Sequence, residues 1–427
     1  MSRHPLIHKT LVSTGVAVAL SLTATAHATN GYFSHGYGIQ SKGAAGVGAA
    51  LPQDSLAAAT NPAGLVDLGN RLDAGVDLFA PQREAAIHGN GFGADARYDG
   101  NDTSLFYIPE FGYNHLVNPD LALGIAVYGN GGMNTDYGSN PYQRYGATGP
   151  AGVDLTQLFI SPAVAYRLND KNSVGIALNL AYQRFKADGI SAFSGFSANP
   201  AHLSNNGYDS STGYGVRLGW QGKLNDVVTL GASWQSKTKT GKFDKYSGLF
   251  ADGGSFDIPE TYVAGVAVKA TPDLTLALDW QKILYSDVPA VGNSFAKLLQ
   301  GQPLGSNDGP GFGWRDISII KLGVIYQVSP SLKLRAGFSS SQQPVPQNET
   351  FFNILAPGVV QKHITLGSTW NINADNAVSV AYTRGLKQTV KGAGSIPPGL
   401  PPAGLGGGEA DIQLEEDSLG VAWQLKF

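Results

Sequence analysis

Four stretches of this sequence place an apolar side chain at every second position. They are Val174, Ile176, Leu178, Leu180 and Tyr182; Leu274, Leu276, Leu278 and Trp280; Leu322, Val324, Tyr326 and Val328; and Leu419, Val421, Trp423, Leu425 and Phe427. A period of two means strands with one apolar face. The alternate positions carry Asn179, Gln183, Asp279, Gln281, Lys321, Lys333 and Arg335, or Gly and Ala. A soluble sandwich would show the same alternation, so the faces alone leave the architecture open.

The connections narrow it. Tight turn signals fall at Asn118-Pro119-Asp120, Asn169-Asp170-Lys171, Asn225-Asp226, Thr271-Pro272-Asp273, Ser329-Pro330 and Asn373-Ala374-Asp375. Between them lie longer connections near 83–103, 129–153, 187–210, 240–256, 286–311, 340–357 and 391–411. Short breaks on one side and long ones on the other mark an outer-membrane barrel, with turns in the periplasm and loops outside. Six turns and seven loops join 14 strands of roughly 11–16 residues, long enough to cross a membrane at a tilt. Trp220, Trp234, Trp280, Trp370 and Trp423 sit near strand ends, where aromatic girdles belong, and the chain ends in Phe427.

The first residues follow a different logic. Arg3 and Lys9, an apolar run over residues 11–22 and Ala26-His27-Ala28 read as a secretory signal peptide cleaved after Ala28. The expected division is thus 1–28 signal peptide, 29–68 an N-terminal segment and 69–427 barrel. Without Arg3 and Lys9 there are 27 basic against 32 acidic residues, a net of about −5, which argues against nucleic acid as a partner. The chain has no cysteine, so disulfides and thiol-held metals are excluded. No stretch after residue 28 is apolar for long enough to span a bilayer as a helix, so a membrane assignment rests on the strands.

Catalytic signatures are missing: no G-x-S-x-G, no H-E-x-x-H and no G-x-x-x-x-G-K-[ST] occurs. Histidines 35, 88, 115, 202 and 363 are scattered, although a barrel can bring two together. The expectation is a protein that is not an enzyme, with no metal and no cofactor. A general polar-solute porin and a barrel enzyme or adhesin are the competing readings.

The long connections are unusually apolar. They carry Phe193, Phe196 and Leu203; Leu249 and Phe250; Phe295, Leu298 and Leu299; and Phe351, Phe352, Ile354 and Leu355. Either these side chains pack the loops together, or they offer apolar surface at an aqueous mouth, where an apolar ligand is captured. Phe193, Phe196, Leu203, Phe295, Leu298 and Leu299 are the candidate capture residues. The spacing of Phe295, Leu298 and Leu299 predicts a short helix. Asp279, Lys321, Lys333 and Arg335 face the lumen, either as braces or as partners for a carboxylate headgroup.

A small-residue segment, "TNGYFSHGYGIQSKGAAGVGAALPQDSLAAATNPAGL" over residues 29–65, precedes the strands. Asp54 or Ser55 is placed to cap a short helix that Pro62 helps to stop. Such a segment suits a plug, because a 14-stranded barrel is too wide for its own side chains to fill. With the signal peptide, this segment and the 14 strands ending in Phe, the chain resembles the FadL family of outer-membrane long-chain fatty acid and aromatic-hydrocarbon transporters. The resemblance implies an all-β, 14-stranded antiparallel transmembrane barrel in a Gram-negative outer membrane, with an N-terminal hatch in the lumen. It also implies that Asn61-Pro62-Ala63 contacts a kinked third strand that opens the wall sideways. Here that strand runs into "YGNGGMN", where Gly129, Gly131 and Gly132 permit a kink. The partners expected are a hydrophobic small molecule and membrane lipid, and the chain is expected to act as a monomer.

Overall fold

Fourteen strands follow one another around a closed antiparallel ring in the computed structural model, which describes residues 30–401 and 404–427. They are β1 (Arg71–His88), β2 (Phe106–Asn118), β3 (Leu121–Tyr137), β4 (Ala151–Asn169), β5 (Asn172–Asp188), β6 (Asp209–Lys223) and β7 (Val228–Gln235). The second half is β8 (Thr261–Lys269), β9 (Leu274–Ile283), β10 (Ile317–Ser329), β11 (Leu332–Ser341), β12 (Lys362–Asn371), β13 (Asn376–Val390) and β14 (Glu409–Lys426). Two further short strands, Ala96–Asp99 and Lys239–Thr240, belong to loops and pair with β1 and β6. The ring closes between β1 and β14, in register from Arg71 opposite Lys426 to His88 opposite Glu409. The expected signal peptide, 1–28, lies outside the described residues.

All six tight turns fall where the sequence places them, and in an antiparallel ring they share one end. Strand lengths spread more widely than 11–16 residues, from 8 in β7 to 19 in β4. The long strands carry the ladder up into the loops. Residues 129–137, read from the sequence as the start of a loop, continue β3, because β4 supplies hydrogen-bond partners up to Tyr137 opposite Ala151.

The faces are inside out relative to a soluble sandwich. Leu178, Leu180, Leu276, Leu278, Leu322, Val324, Leu419 and Val421 are exposed, while Asn179, Gln183, Asp279, Lys321 and Arg335 are buried. An apolar outer band with a polar interior is what a bilayer around a barrel requires. No helix among the described residues is long and apolar enough to cross a membrane.

Residues 30–68 lie inside the ring, almost wholly buried. Their small side chains let the backbone meet glycines on the inner wall. Gly43 lies against Gly367, Ala45 against Gly337, Ala49 against Gly231, and Pro62 and Ala63 against Gly175. A Cβ on any of these wall glycines would fall within 3.0 Å of the segment's backbone. The small-residue segment and the inner-wall glycines are therefore complementary surfaces. Asp54 caps the short helix Ser55–Ala59 through the Leu56 N–H, as expected. Pro62 does more than stop that helix: capped by Asn61, it begins a second one, Pro62–Asp67.

Candidate functional site

The wall is incomplete between β2 and β3. Their ladder ends at Phe111 opposite Val127, although β2 continues to pair with β1 as far as Phe106 opposite Phe79. Beyond Val127, β3 keeps its ladder with β4 but has none with β2, and the register slips between Gly129 and Gly131; near its far end the loop residue Asn101 bridges Asp136. The residue left over is Asn130, a bulge that bends β3 away from β2. Asn130 is buried, donating to Gln157 Oε1 (3.1 Å) and accepting from the Tyr37 hydroxyl (3.0 Å). Gly129, Gly131 and Gly132 were the visible signal, but the asparagine among them fixes the bend.

The edge that β2 leaves is taken up by the inner segment. Ser34 N–H donates to the Asn130 carbonyl (3.0 Å), Gly132 N–H donates to the Tyr32 carbonyl (2.9 Å), and Phe33 bridges Gly131. A Cβ at Gly131 would lie 2.0 Å from the Tyr32 oxygen. The contact assigned to Asn61-Pro62-Ala63 is thus made by residues 32–34. Asn61 lies elsewhere, donating to the carbonyls of Ala49 (2.6 Å) and Trp220 (2.9 Å), while Ser173 donates to the Ala63 carbonyl (3.1 Å). The reason is geometric: an extended tripeptide can continue a sheet edge, whereas a proline at a helix start offers no N–H to it.

Above this edge the inner segment joins the loops. Tyr32 packs against Phe33, Phe256, Tyr285 and Trp314, with ring centroids 5.2–6.1 Å apart. The Tyr285 hydroxyl donates to the Asn30 carbonyl. Phe193 meets Tyr142, Phe351 and Phe352, and Phe295 stacks on Phe352 at 5.0 Å. Phe193, Leu203, Phe295 and Leu298 are buried and Phe196 is partly buried, leaving Leu299 as the exposed candidate at 45 %. The apolar loop residues therefore form one core with the inner segment instead of a surface at the mouth, because aromatic rings this large bury themselves wherever partners are in reach. The predicted helix is present as Ala296–Leu299. Glu349 anchors it, accepting from the Phe295 N–H (2.9 Å) and from Ser294, and burial pushes its carboxyl above the usual range.

The lumen charges mostly brace the inner segment. Asp279 accepts from the N–H groups of Gly48 (2.8 Å) and Ala49 (2.9 Å), Lys321 donates to the His35 carbonyl (2.9 Å), and Arg335 holds Gln53, Thr369 and Gln40. Lys333 is half-buried in a polar cleft with Gln53 and Arg335. The sequence reading missed other wall residues that hold the segment, four charged ones among them. Asp77 pairs with Lys42 (2.7 Å), Glu110 accepts from Ile39 N–H (2.8 Å), Asp73 accepts from Ser55 N–H (2.8 Å), and Arg71 orients Asp73. Each lies on a strand's inner face, so alternation alone could have found them. The barrel also brings His35 and His363 together, their rings 4.7 Å apart and bridged by Ser339.

Beside the wall gap a small cavity opens among Phe79, Pro81, Met133, Ala356, Pro357 and Leu414. Arg83, Asn134 and Glu416 are the polar groups on its wall. The class this defines is a transport barrel of the outer membrane whose lumen is occupied by its own N-terminal segment, with a break in the wall. Residues 16–395 match the family described as outer membrane protein transport protein (OMPP1/FadL/TodX), and the chain belongs to that family of the Gram-negative outer membrane. Members of this family are transport channels and not enzymes. The long-chain fatty acid transport protein of Escherichia coli K12 is 24 % identical over 426 residues, covering 90 % of this chain and 94 % of its own. The crystal structure of the Pseudomonas putida toluene transporter TodX superimposes with a TM-score of 0.70 at 19 % identity, over 92 % of this chain and 99 % of that one. A Pseudomonas aeruginosa FadL homologue gives 0.69 at 15 % identity, over 93 % and 100 %.

Proposed function

We propose that this protein takes up apolar molecules, such as long-chain fatty acids or aromatic hydrocarbons, and releases them sideways into the membrane between β2 and β3. The observation that carries the reading is the end of β2–β3 pairing at Phe111 and Val127, with the Asn130 bulge just beyond. An apolar solute leaving there enters lipid without crossing water, which spares it the cost of hydration. The fatty acid and toluene transporters among its relatives support the substrate class. In this reading Leu299 and Phe196 meet the ligand first, and Phe193, Leu203, Phe295 and Leu298 line the way once the loops part. Asn61, Pro62 and Ala63 hold the hatch, and Gly129, Gly131 and Gly132 allow the wall to stay open. Asp279, Lys321 and Arg335 keep the lumen closed to polar solutes, which disfavours a general porin. Each chain carries its own hatch, gap and loops, so a monomer suffices.

Deleting Asn130 tests this reading. Removing the bulge residue brings β3 back into a straight ladder beside β2. Uptake of an apolar compound at limiting concentration should then fall at least tenfold, while the purified variant still binds it. Undiminished uptake by a correctly inserted variant would rule out the wall as the exit.

A further inference from the structure

The cavity beside the gap is mostly apolar, but Arg83, Asn134 and Glu416 give its wall polar groups that a hydrocarbon does not match. Arg83 and Glu416 are each only 2 % exposed, on β1 and β14, and Glu416 stands opposite Pro81 in the closing ladder. The Arg83 guanidinium is steered by its Nε and Nη2, which donate to the Gly100 carbonyl (3.2 and 2.7 Å) and, from Nη2, to Thr103; its Nη1 meets no acceptor among the described residues. Neither oxygen of Glu416 has a hydrogen-bond donor among the described residues, and His363 Nε2 stands 3.8 Å away. Asn134 Oδ1 on β3 is likewise without a partner. Buried polar atoms are nearly always hydrogen-bonded, so a donor and several acceptors left unpaired on one cavity wall point to what enters it.

We propose that this cavity selects apolar molecules carrying one neutral group that both donates and accepts a hydrogen bond: an alcohol, a phenol or a primary amide. The inference rests on the transport reading above and narrows it: among apolar molecules, this cavity favours those with such a group over the bare hydrocarbons and carboxylates named there. A hydroxyl accepts from Arg83 Nη1 while donating toward Glu416 or Asn134. It satisfies Glu416 in either protonation state, because a hydroxyl donates to a carboxylate and accepts from a carboxylic acid. A bare hydrocarbon covers these atoms and leaves them unpaired, the situation that lets a site reject an analogue lacking one polar group. A carboxylate suits Arg83 but sets its charge beside Glu416 and Asn134 Oδ1, which selects against it.

Binding of p-xylene, p-cresol and 4-methylbenzoate to the purified, detergent-solubilised protein tests this, since the three share a p-tolyl group and differ in the substituent opposite its methyl. p-Cresol should bind at least about tenfold more tightly than either of the others. Glu416→Leu should weaken p-cresol by about tenfold and tighten p-xylene, reversing the order, while Glu416→Gln restores the p-cresol preference. Equal binding of p-xylene and p-cresol by the unsubstituted protein would show the polar wall to be merely hydrated and overturn the proposal, leaving apolar transport intact. Tightest binding of 4-methylbenzoate would overturn it in favour of an anionic head. Failure of all three ligands to bind folded protein would remove the transport reading of this cavity, and the proposal with it.

Discussion

Asn61 shows how much one side chain can hold inside a barrel. Its amide donates to two carbonyls, that of buried Ala49 on the hatch and that of Trp220 on the wall, and its oxygen caps the helix that follows. Asn61→Ala removes a cap worth about 1 kcal/mol and leaves the carbonyls unmet at about 1–3 kcal/mol. The expected loss of stability is roughly 2–4 kcal/mol. Heat or denaturant unfolding of the purified protein should show it, and no loss would mean that water or a neighbouring group takes over the bonds. Since Asn61 lies away from the β2–β3 gap, the gap itself should keep its shape. That separates Asn61 from Asn130, whose effect is on the wall.

At the scale of elements, the hairpin turns and the loops belong to opposite ends of the ring, and the hatch enters from the turn end. A tag inserted near residue 300 should therefore be labelled on intact cells, and one at Asp226 should be protected until the outer membrane is opened. Labelling at Asp226 alone would invert the orientation. Much of this level was legible in the sequence, because strand faces and tight turns are local patterns with periods of two and breaks of two or three residues. The bulge in β3 was half legible: glycines signalled weakness, but which residue is extra depends on the register with β4. The seat of Asn61-Pro62-Ala63 was not legible, because it is set by contacts with Gly175 and Gly219, more than a hundred positions away. The fate of the loop aromatics was also hidden, since exposure depends on whether distant loops meet.

At the scale of the whole molecule, the hatch and the barrel share a polar interface. Asp77, Glu110, Asp279, Lys321 and Arg335 point from the wall to groups on the hatch. Deleting residues 30–66 should leave a barrel that still inserts, since the outer apolar band and the ladders remain, but that conducts ions freely in planar bilayers. The heat resistance of the folded form should drop as well. An equally silent barrel after deletion would assign the seal to the loops.

The ladder between β1 and β14 joins the two ends of the folded chain, from Arg71 opposite Lys426 to His88 opposite Glu409. That seam makes the last strand the neighbour of the first, and inside the ring Gly43 meets Gly367 across more than three hundred positions. Contacts so far apart in sequence cost the most chain entropy to form, so they weigh towards slow folding. A chain that stops short of β14 leaves the outer edge of β1 unpaired, an open template for another strand.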